Sequence, residues 1–279
     1  MHETPILQVK NLRKQYGAGC LECRDIEGNS LEKNYCKACG TVFAVRDVSL
    51  DLYRGEILGI VGESGSGKST MMQCLYFDTD ITSGAAYINR PGKENKNVFE
   101  LSSQQKRMIR NHDYGMVYQN PVHGLKMKFS SIGNIAEKLI AAGNRNVSDM
   151  EATGKRLLTN VHIPLHRMKE EPENFSGGMQ QRVQIAKALS NNPPILFLDE
   201  VTTGLDLSVQ ANVLDLIKKI QRELQISMIV VSHDLAVIRM LADRTIVMLN
   251  GEIIEEGLTD QVLEDPQHAY TQQLVYSLL

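Results

Sequence analysis

A glycine-rich octet behind a short apolar run constrains the fold of this chain more than any other feature. Residues 62–69 read Gly-Glu-Ser-Gly-Ser-Gly-Lys-Ser and follow the apolar run of residues 56–61, which fits the pattern G-x-x-x-x-G-K-[ST] between a strand and a helix. Glycine permits a turn in which backbone N–H groups point at phosphate oxygens, and the following helix adds the positive end of its dipole. The octet predicts a buried strand, a phosphate-binding loop and a helix from Ser69. A glycine-rich turn with a chance lysine is the alternative for the octet alone.

Two side chains of the octet have the chemistry that a nucleoside triphosphate with magnesium requires. Lys68 can place its charge between the β- and γ-phosphates, and the Ser69 hydroxyl can be a ligand of Mg²⁺. The residues predicted to surround the phosphates are Gly62, Glu63, Ser64, Gly65, Ser66, Gly67, Lys68, Ser69 and Thr70.

Further apolar runs predict an α/β fold. Residues 195–198 and 228–231 are short apolar runs that end in polar residues, whereas residues 6–12 and 45–52 have the alternation of antiparallel strands. Buried strands that alternate with amphipathic segments indicate a mostly parallel core sheet covered by helices. We expect an antiparallel β subdomain beside that core.

The middle of the chain has a different pattern. Residues 122–175 have helical periodicity, for example at Ile132, Ile135 and Leu139, and no strong strand signal. We expect a helical subdomain inserted into the nucleotide-binding core, within a single domain of residues 1–279.

The composition of the chain excludes some classes of protein and of binding partner. The chain has 279 residues, of which 42% are hydrophobic and 23% charged, so it can bury a sizeable core. The formal net charge of -3 argues against nucleic acid as a partner. No apolar stretch approaches the length of a membrane span, and the N-terminus lacks a secretory signal pattern. We expect a cytoplasmic protein, so a role in transport would require another chain to cross the membrane.

Two polar motifs outside the octet offer related chemistry. Asp199 and Glu200 follow an apolar run; one carboxylate there can hold Mg²⁺ through water and the second can orient an attacking water. An Asp-Glu pair also commonly marks a solvent-exposed strand end. Residues 175–182 begin Phe-Ser-Gly-Gly and open an amphipathic helix, whose start is either a second anion site or a simple helix cap.

Together these motifs resemble those of the ATP-binding cassette family over nearly the whole chain, and residues 176–180 match the family signature. The resemblance implies a P-loop cassette fold, hydrolysis of ATP to ADP and phosphate, and Mg²⁺ as a cofactor. The catalytic residues that it implies are Glu200, His233 and Gln119. The residues implied to support Mg²⁺ are Ser69, Gln119 and Asp199, and adenine is implied to stack on Tyr16.

The same resemblance implies a head-to-tail pair of cassettes, either two copies of this chain or this chain with a related cassette. The residues implied to lie at the nucleotide across that interface are Ser176, Gly177, Gly178, Gln180 and Asp206. Without the resemblance, His233 would be an ordinary loop histidine and Tyr16 a core residue. One departure is visible, because Val201 stands where the family usually has proline; we expect this to change loop stiffness more than chemistry.

Three segments bear on which branch of the family the chain resembles. Residues 120–126, with Gly-Leu-Lys at their end, and residues 133–137 resemble the cassette proteins of the carbon–phosphorus lyase system for phosphonate breakdown. Residues 265–271 are shared with peptide and nickel importer ATPases, so they do not discriminate. The resemblance implies a soluble lyase core complex as partner; a membrane importer permease is the alternative. A scaffold that binds ATP without turnover is a third hypothesis, which intact catalytic residues disfavour.

Four cysteines form the pattern C-x2-C-x12-C-x2-C at Cys20, Cys23, Cys36 and Cys39, in an insertion of residues 18–41 that lies outside the family pattern. Two such pairs can supply four thiolates to Zn²⁺, and Gly40 suits the tight turn beside the second pair. An iron–sulfur cluster, redox disulfides and unliganded thiols are the alternatives. We expect a structural clip on a long loop, with a docking surface as the other role; Cys74 is predicted to be a small core residue.

Overall fold

The computed structural model describes residues 4–24, 31–90 and 96–276. Its strands are β1 (Leu7–Tyr16), β2 (Leu31–Glu32), β3 (Tyr35–Cys36), β4 (Val42–Leu52), β5 (Ile57–Val61), β6 (Ser83–Ile88), β7 (Tyr114–Val117), β8 (Ile195–Asp199), β9 (Ser227–Val231), β10 (Arg244–Leu249) and β11 (Glu252–Leu258). Its α-helices are α1 (Leu21–Arg24), α2 (Lys68–Leu75), α3 (Ser103–His112), α4 (Pro121–Gly124), α5 (Ser131–Ala141), α6 (Val147–Asn160), α7 (Gly177–Ala188), α8 (Leu207–Leu224), α9 (Leu235–Leu241), α10 (Thr259–Glu264) and α11 (Ala269–Tyr276). The chain divides into two compact units, one of residues up to 101 and from 231, the other of residues 102–230.

The first unit contains an antiparallel sheet in the order β2-β3-β4-β1-β6. Strand β1 pairs with β4 from Leu7 opposite Leu52 to Tyr16 opposite Val42, with register shifts along the way. Buried side chains such as Leu7, Leu12 and Leu52 form the inner face. The predicted antiparallel strands are confirmed, but both are longer than expected because bulges interrupt their alternation.

The first unit also contains three strands of a second sheet, in which β10 runs parallel to β5 and antiparallel to β11. All five residues of β5 are buried, as the apolar run predicts for a strand covered on both faces. The phosphate loop and α2 follow β5 directly, so the predicted strand–loop–helix order is confirmed.

The second unit contains β7, β8 and β9 in the order β9-β8-β7, with β7 parallel to β8. Strands β8 and β9 are buried along their whole length. Helices α5 and α6 lie within residues 122–175, but the compact unit around them is wider and includes these strands. The subdomain limits given above therefore stay a prediction.

Helix α7 differs from its prediction. It was expected to be amphipathic, but its buried residues, which include Gln181 and Gln184, lie around most of its circumference. The prediction is wrong because these polar side chains are buried with hydrogen bonds, and periodicity treats every polar position as solvent-facing. Within the described residues, no helix is both long and apolar enough to cross a bilayer.

Candidate functional site

The backbone of the phosphate loop requires glycine at two positions. Gly62 has φ +150°, and a Cβ added there would lie 2.2 Å from the Met248 carbonyl oxygen. Gly67 has φ +102°, and its added Cβ would lie 2.0 Å from the Ala44 carbonyl oxygen. No side chain can occupy such space without displacing backbone, so these neighbours determine the shape of the loop.

The ammonium group of Lys68 lies inside this loop. Its Nζ donates to the carbonyl oxygens of Gly62 and Glu63, each at 2.8 Å, and to Ser66 Oγ at 3.3 Å, and the residue is only 4% exposed. Helix α2 begins at Lys68 after Gly67, and no side chain caps its first turn. A buried cation beside an uncapped helix start is an arrangement that attracts phosphate.

A tyrosine from the C-terminal segment also contacts the phosphate loop. Tyr270 Oη accepts a hydrogen bond from the Glu63 amide at 2.9 Å, and burial raises the pKa of Tyr270. The segment before it is held by Glu255, whose carboxylate accepts from the Gln267 and His268 amides at 2.8 and 3.0 Å. The sequence of this segment resembles importer ATPases, but a tyrosine on a short helix gives no local signal of such a contact.

His233 lies in the turn between β9 and α9 and is exposed. The Ser232 amide donates to the Ile60 carbonyl oxygen at 3.1 Å, and Asp234 caps α9 by accepting from the Ala236 amide at 2.8 Å. The residues on both sides of His233 are therefore fixed, while its imidazole is presented at the surface of the first unit.

The second unit brings two predicted catalytic residues into contact. Asp199 ends β8 and is 6% exposed, and Glu200 follows it. Gln119 Nε2 donates to Glu200 Oε2 at 3.0 Å, and Thr203 Oγ1 donates to the same oxygen at 3.2 Å. Two donors to one oxygen thus orient the Glu200 carboxylate, as a group that positions a reacting water requires.

The backbone conformation of Glu200 explains why valine at position 201 suits this turn. Glu200 has φ +45°, a left-handed conformation that is uncommon outside glycine. A residue before proline is driven toward extended conformations, so valine at 201 removes that restriction. Local strain of this kind is typical of functional turns.

Gln184 is a positioning residue that sequence analysis missed. It is 1% exposed, its Oε1 accepts from the Tyr118 amide at 2.7 Å, and its Nε2 donates to the Tyr118 carbonyl oxygen at 3.1 Å. The backbone immediately before Gln119 is therefore fastened to α7. A polar residue on a helix gives no hint of this role until its burial is known.

The signature turn is open at its helix start. Ser176 is the N-cap residue of α7, but its side chain makes no capping hydrogen bond. Ser176 and Gly177 are exposed, whereas a Cβ on Gly178 would lie 2.3 Å from Val209 Cγ1. The side-chain Nε2 of Gln180 donates to the carbonyl oxygens of Pro172 and Phe175, at 2.9 and 3.1 Å. Gln180 thus shapes the turn, and the serine and first glycine remain accessible.

Asp206 caps α8. Its Oδ1 accepts from Ser208 Oγ at 2.7 Å and from the Val209 amide at 2.9 Å. These hydrogen bonds, the Ser208 hydroxyl first, lower the pKa of Asp206. The structure therefore gives this carboxylate a local role in starting α8.

The branch-specific segments form one cluster. Asn134 is fully buried; its Oδ1 accepts from the Lys126 amide at 2.8 Å and its Nδ2 donates to the Lys126 carbonyl oxygen at 3.0 Å. Glu137 bridges the side chains of Lys126 and Lys187 at 2.6 and 3.0 Å. Burial by itself raises the pKa of Glu137, but the two lysines outweigh it and the net shift is downward.

The four clustered cysteines meet in the first unit. Sγ–Sγ distances are 3.7 Å for Cys20–Cys23, 3.8 Å for Cys20–Cys36 and 3.7 Å for Cys23–Cys39, and all four sulfurs lie within 4.8 Å of one another. Zn–S bonds of about 2.3 Å in a tetrahedron place sulfurs about 3.8 Å apart. Disulfide-bonded sulfurs would be about 2 Å apart. The Cys20 amide donates to Cys23 Sγ at 3.1 Å, and Gly40, at φ +74°, donates to the Cys36 carbonyl oxygen at 2.9 Å.

Tyr16 lies at the surface, whereas Cys74 lies in the core. The ring of Tyr16, at the end of β1, is 44% exposed with the Lys14 ammonium 4.7 Å from its centroid, so it is not packed in the core. Cys74 on α2 is fully buried, as predicted for a core residue.

Comparison with known proteins assigns the family. The sequence profile described as ABC transporter matches residues 45–203, more than half of the chain. The chain belongs to the ATP-binding cassette family. It is a nucleotide-binding ATPase subunit with the cassette fold.

The similar proteins include one named for phosphonate utilisation and one named for glutathione import. The cassette is 46% identical over 233 residues to the "Putative phosphonates utilization ATP-binding protein PhnK" of Escherichia coli K12, covering 84% of this chain and 90% of that protein. It is 39% identical over 241 residues to the glutathione import ATP-binding protein GsiA of Shigella dysenteriae, covering 84% of this chain and only 39% of GsiA. A dimeric cassette in a post-hydrolysis state, bound to ADP and Pi, superposes with a TM-score of 0.75 at 29% identity, covering 91% of this chain and 98% of the other.

Proposed function

We propose that this cassette hydrolyses ATP with an attacking water oriented by Glu200, with Gln119 as its partner and His233 in contact with the γ-phosphate. Ser69, Gln119 and Asp199 would hold Mg²⁺, which would neutralise part of the charge on the phosphates. The observation that carries this proposal is the hydrogen bond from Gln119 to Glu200, which Thr203 reinforces.

The phosphate end of the nucleotide is assigned to the loop around Lys68, and adenine to Tyr16. The buried ammonium and the uncapped start of α2 support the first assignment. The exposed ring of Tyr16 supports the second, since a base can stack on it.

ATP is proposed to join two cassettes head to tail, and its hydrolysis to separate them. In the closed pair, Ser176 and Gly177 of one chain would meet the γ-phosphate held by the other. Their exposure and the uncapped α7 support this assignment. Gly178, Gln180 and Asp206 then act by shaping the elements that present this surface.

A direct test uses Glu200→Gln and Lys68→Ala. Loss of the water-orienting carboxylate should lower kcat by about 10²–10⁴-fold while ATP binding persists, so that Glu200→Gln elutes as a dimer with ATP and Mg²⁺. Lys68→Ala should lose ATP affinity and stay monomeric. Glu151→Gln, which changes an exposed carboxylate on α6, is the control. Full activity of Glu200→Gln, or unchanged ATP affinity of Lys68→Ala, would contradict the proposal.

The partner proposed for this cassette is the carbon–phosphorus lyase core complex, in the cytoplasm, where ATP would drive remodelling during phosphonate breakdown. The identity to PhnK over 90% of that protein supports this choice, as does the cluster around Asn134. The second candidate is a membrane importer permease, which the 39% identity to GsiA favours. A pulldown with ATP-loaded Glu200→Gln from cells grown on a phosphonate distinguishes them. Capture of permease subunits without lyase subunits would contradict the first assignment.

We further propose that the four cysteines hold one structural Zn²⁺ ion. Thiolate separations close to those of a tetrahedral zinc site support a single ion, because an iron–sulfur cluster spreads its ligands over several metals. Elemental analysis should give one zinc per chain and none after Cys36→Ser with Cys39→Ser. Iron with sulfide, or no metal, would contradict it.

A further inference from the structure

The four-cysteine site and the proposed adenine platform share a buried threonine. Thr41 is 1% exposed; its Oγ1 accepts from the Gly19 amide at 3.0 Å and lies 3.2 Å from Cys39 Sγ. A hydroxyl has one donor and two acceptor positions, so it can accept from the amide and donate to a metal-bound thiolate at once. Thr41 is therefore matched to a thiolate at Cys39.

The same threonine lies against the residue after Tyr16. Gly17 has φ +113°, and a Cβ added there would lie 2.6 Å from Thr41 Oγ1. On the other strand, Val42 follows Thr41 and pairs with Tyr16. We expect a displacement of Thr41 to shift the backbone that follows Tyr16 and the strand residue that pairs with it.

The protein segments proposed for the phosphate end and for the adenine end of the nucleotide are held in place by different interactions. Ala44 contacts the phosphate loop from within the long β1–β4 ladder, which needs no metal. Residues 17–20 lie beyond that ladder. The hydrogen bonds that hold them include Gly19 to Thr41, Cys20 to Cys23 Sγ, and the Gln15 side chain to the Gly17 carbonyl. The Cys20 bond is made to a cysteine of the cluster, and the Gly19 bond is made to the threonine beside Cys39.

We propose that metal in the four-cysteine site sets the affinity for the adenine end of the nucleotide, by holding residues 16–19 through Thr41. The inference rests on the zinc site and on the stacking role of Tyr16 proposed above. Metal loss loosens the platform under the base and leaves the phosphate loop intact. The cassette thereby becomes a nucleotide-binding protein whose ATP affinity follows metal occupancy.

The test compares ATP with tripolyphosphate, which carries the phosphates without the base. Calorimetry on the full chain gives Kd for both ligands before and after removal of the metal by a chelator. ATP affinity should fall about fivefold or more, the lower end of what base–aromatic stacking contributes. Tripolyphosphate affinity should change less than about twofold. Cys74→Ala, which removes the buried cysteine outside the cluster, should retain both metal and ATP affinity.

A second variant separates metal binding from its effect on the nucleotide. Thr41→Val keeps all four cysteines and removes the hydroxyl, so zinc should be retained while ATP affinity falls; Thr41→Ser should restore it. If the metal-free chain unfolds, as a loss of its far-UV circular dichroism signal would show, the Thr41→Val and Thr41→Ser variants test the coupling instead.

The outcomes are distinct. Absence of metal from the wild-type chain overturns the zinc site itself. Unchanged ATP affinity in folded metal-free protein, or in Thr41→Val with zinc bound, overturns the coupling and leaves the zinc site standing. An equal loss for ATP and tripolyphosphate also overturns it, since the effect would not be confined to the base.

Discussion

Replacement of Asn134 by leucine should destabilise the second unit severely, although the two side chains are similar in size. Asn134 is fully buried, and its amide satisfies both backbone groups of Lys126. It also donates, at 3.2 and 3.3 Å, to the carbonyl oxygens of Ser130 and Phe129. Leucine can replace none of these bonds.

The magnitude follows from the two short bonds to Lys126. Deleting one partner of a hydrogen bond and leaving the other unsatisfied costs about 1–3 kcal/mol, and the lower half of that range applies to the exposed residue Lys126. The amide and carbonyl of Lys126 would both lose their partner, so the free energy of unfolding should fall by about 3 kcal/mol. A change of that size lowers Tm by on the order of 5–10 °C.

Urea unfolding followed by far-UV circular dichroism measures this change, since the chain has no tryptophan to serve as a fluorescent probe. Asn134→Asp keeps the acceptor for the Lys126 amide but loses the donors, so it should also be strongly destabilised. Asn160→Leu, at the exposed end of α6, should stay within about 0.5 kcal/mol of wild type. If Asn134→Leu were as stable as that control, the role assigned to this amide would be refuted.

Three further predictions follow from the structure. Gly67→Ala should abolish ATP binding because its Cβ meets backbone 2.0 Å away, whereas Gly65→Ala, which meets nothing within 4 Å, should raise the ATP Kd by less than about tenfold through backbone strain; equal losses would be inconsistent with this. Because its lysines hold the pKa of Glu137 below the unfolded value of about 4.3, the stabilisation it provides is present above that value and lost as pH falls through the folded pKa. The stability difference between wild type and Glu137→Gln in urea titrations should therefore shrink from pH 5 to pH 3, and a constant difference would disprove the linkage. Tyr270→Phe removes the acceptor for the Glu63 amide and should raise the ATP Kd by about threefold to tenfold in calorimetry; an unchanged Kd would show that the contact is dispensable.

The parts of the fold and site that are local in sequence could be predicted. Eight consecutive residues determine the phosphate loop, and two pairs of cysteines determine the cluster, so spacing alone carries the chemistry. The buried strands β5, β8 and β9 were also predicted, because continuous apolar runs need no knowledge of their neighbours.

Features that depend on distant contacts could not be predicted from the residues themselves. Gln119 and Glu200 are 81 positions apart, and only the family resemblance connected them. Tyr270 and Glu63 are 207 positions apart, and nothing in either segment predicts their contact. Gln184 was missed because its polarity suggests exposure, whereas its amide is consumed by backbone groups inside the protein.

The hydrogen bonds of Lys68 have a consequence for turnover. Its ammonium is solvated by oxygens of its own loop, two carbonyls and a hydroxyl. If Lys68 binds the triphosphate as proposed, the phosphate oxygens replace these internal oxygens. The ATP affinity would then reflect the difference between two sets of hydrogen bonds and not the full strength of either. When the product leaves, the same loop oxygens accept hydrogen bonds from the Lys68 ammonium again, so the buried charge always has partners. A phosphate loop that binds a triphosphate tightly can therefore still release the product, as repeated ATP turnover requires.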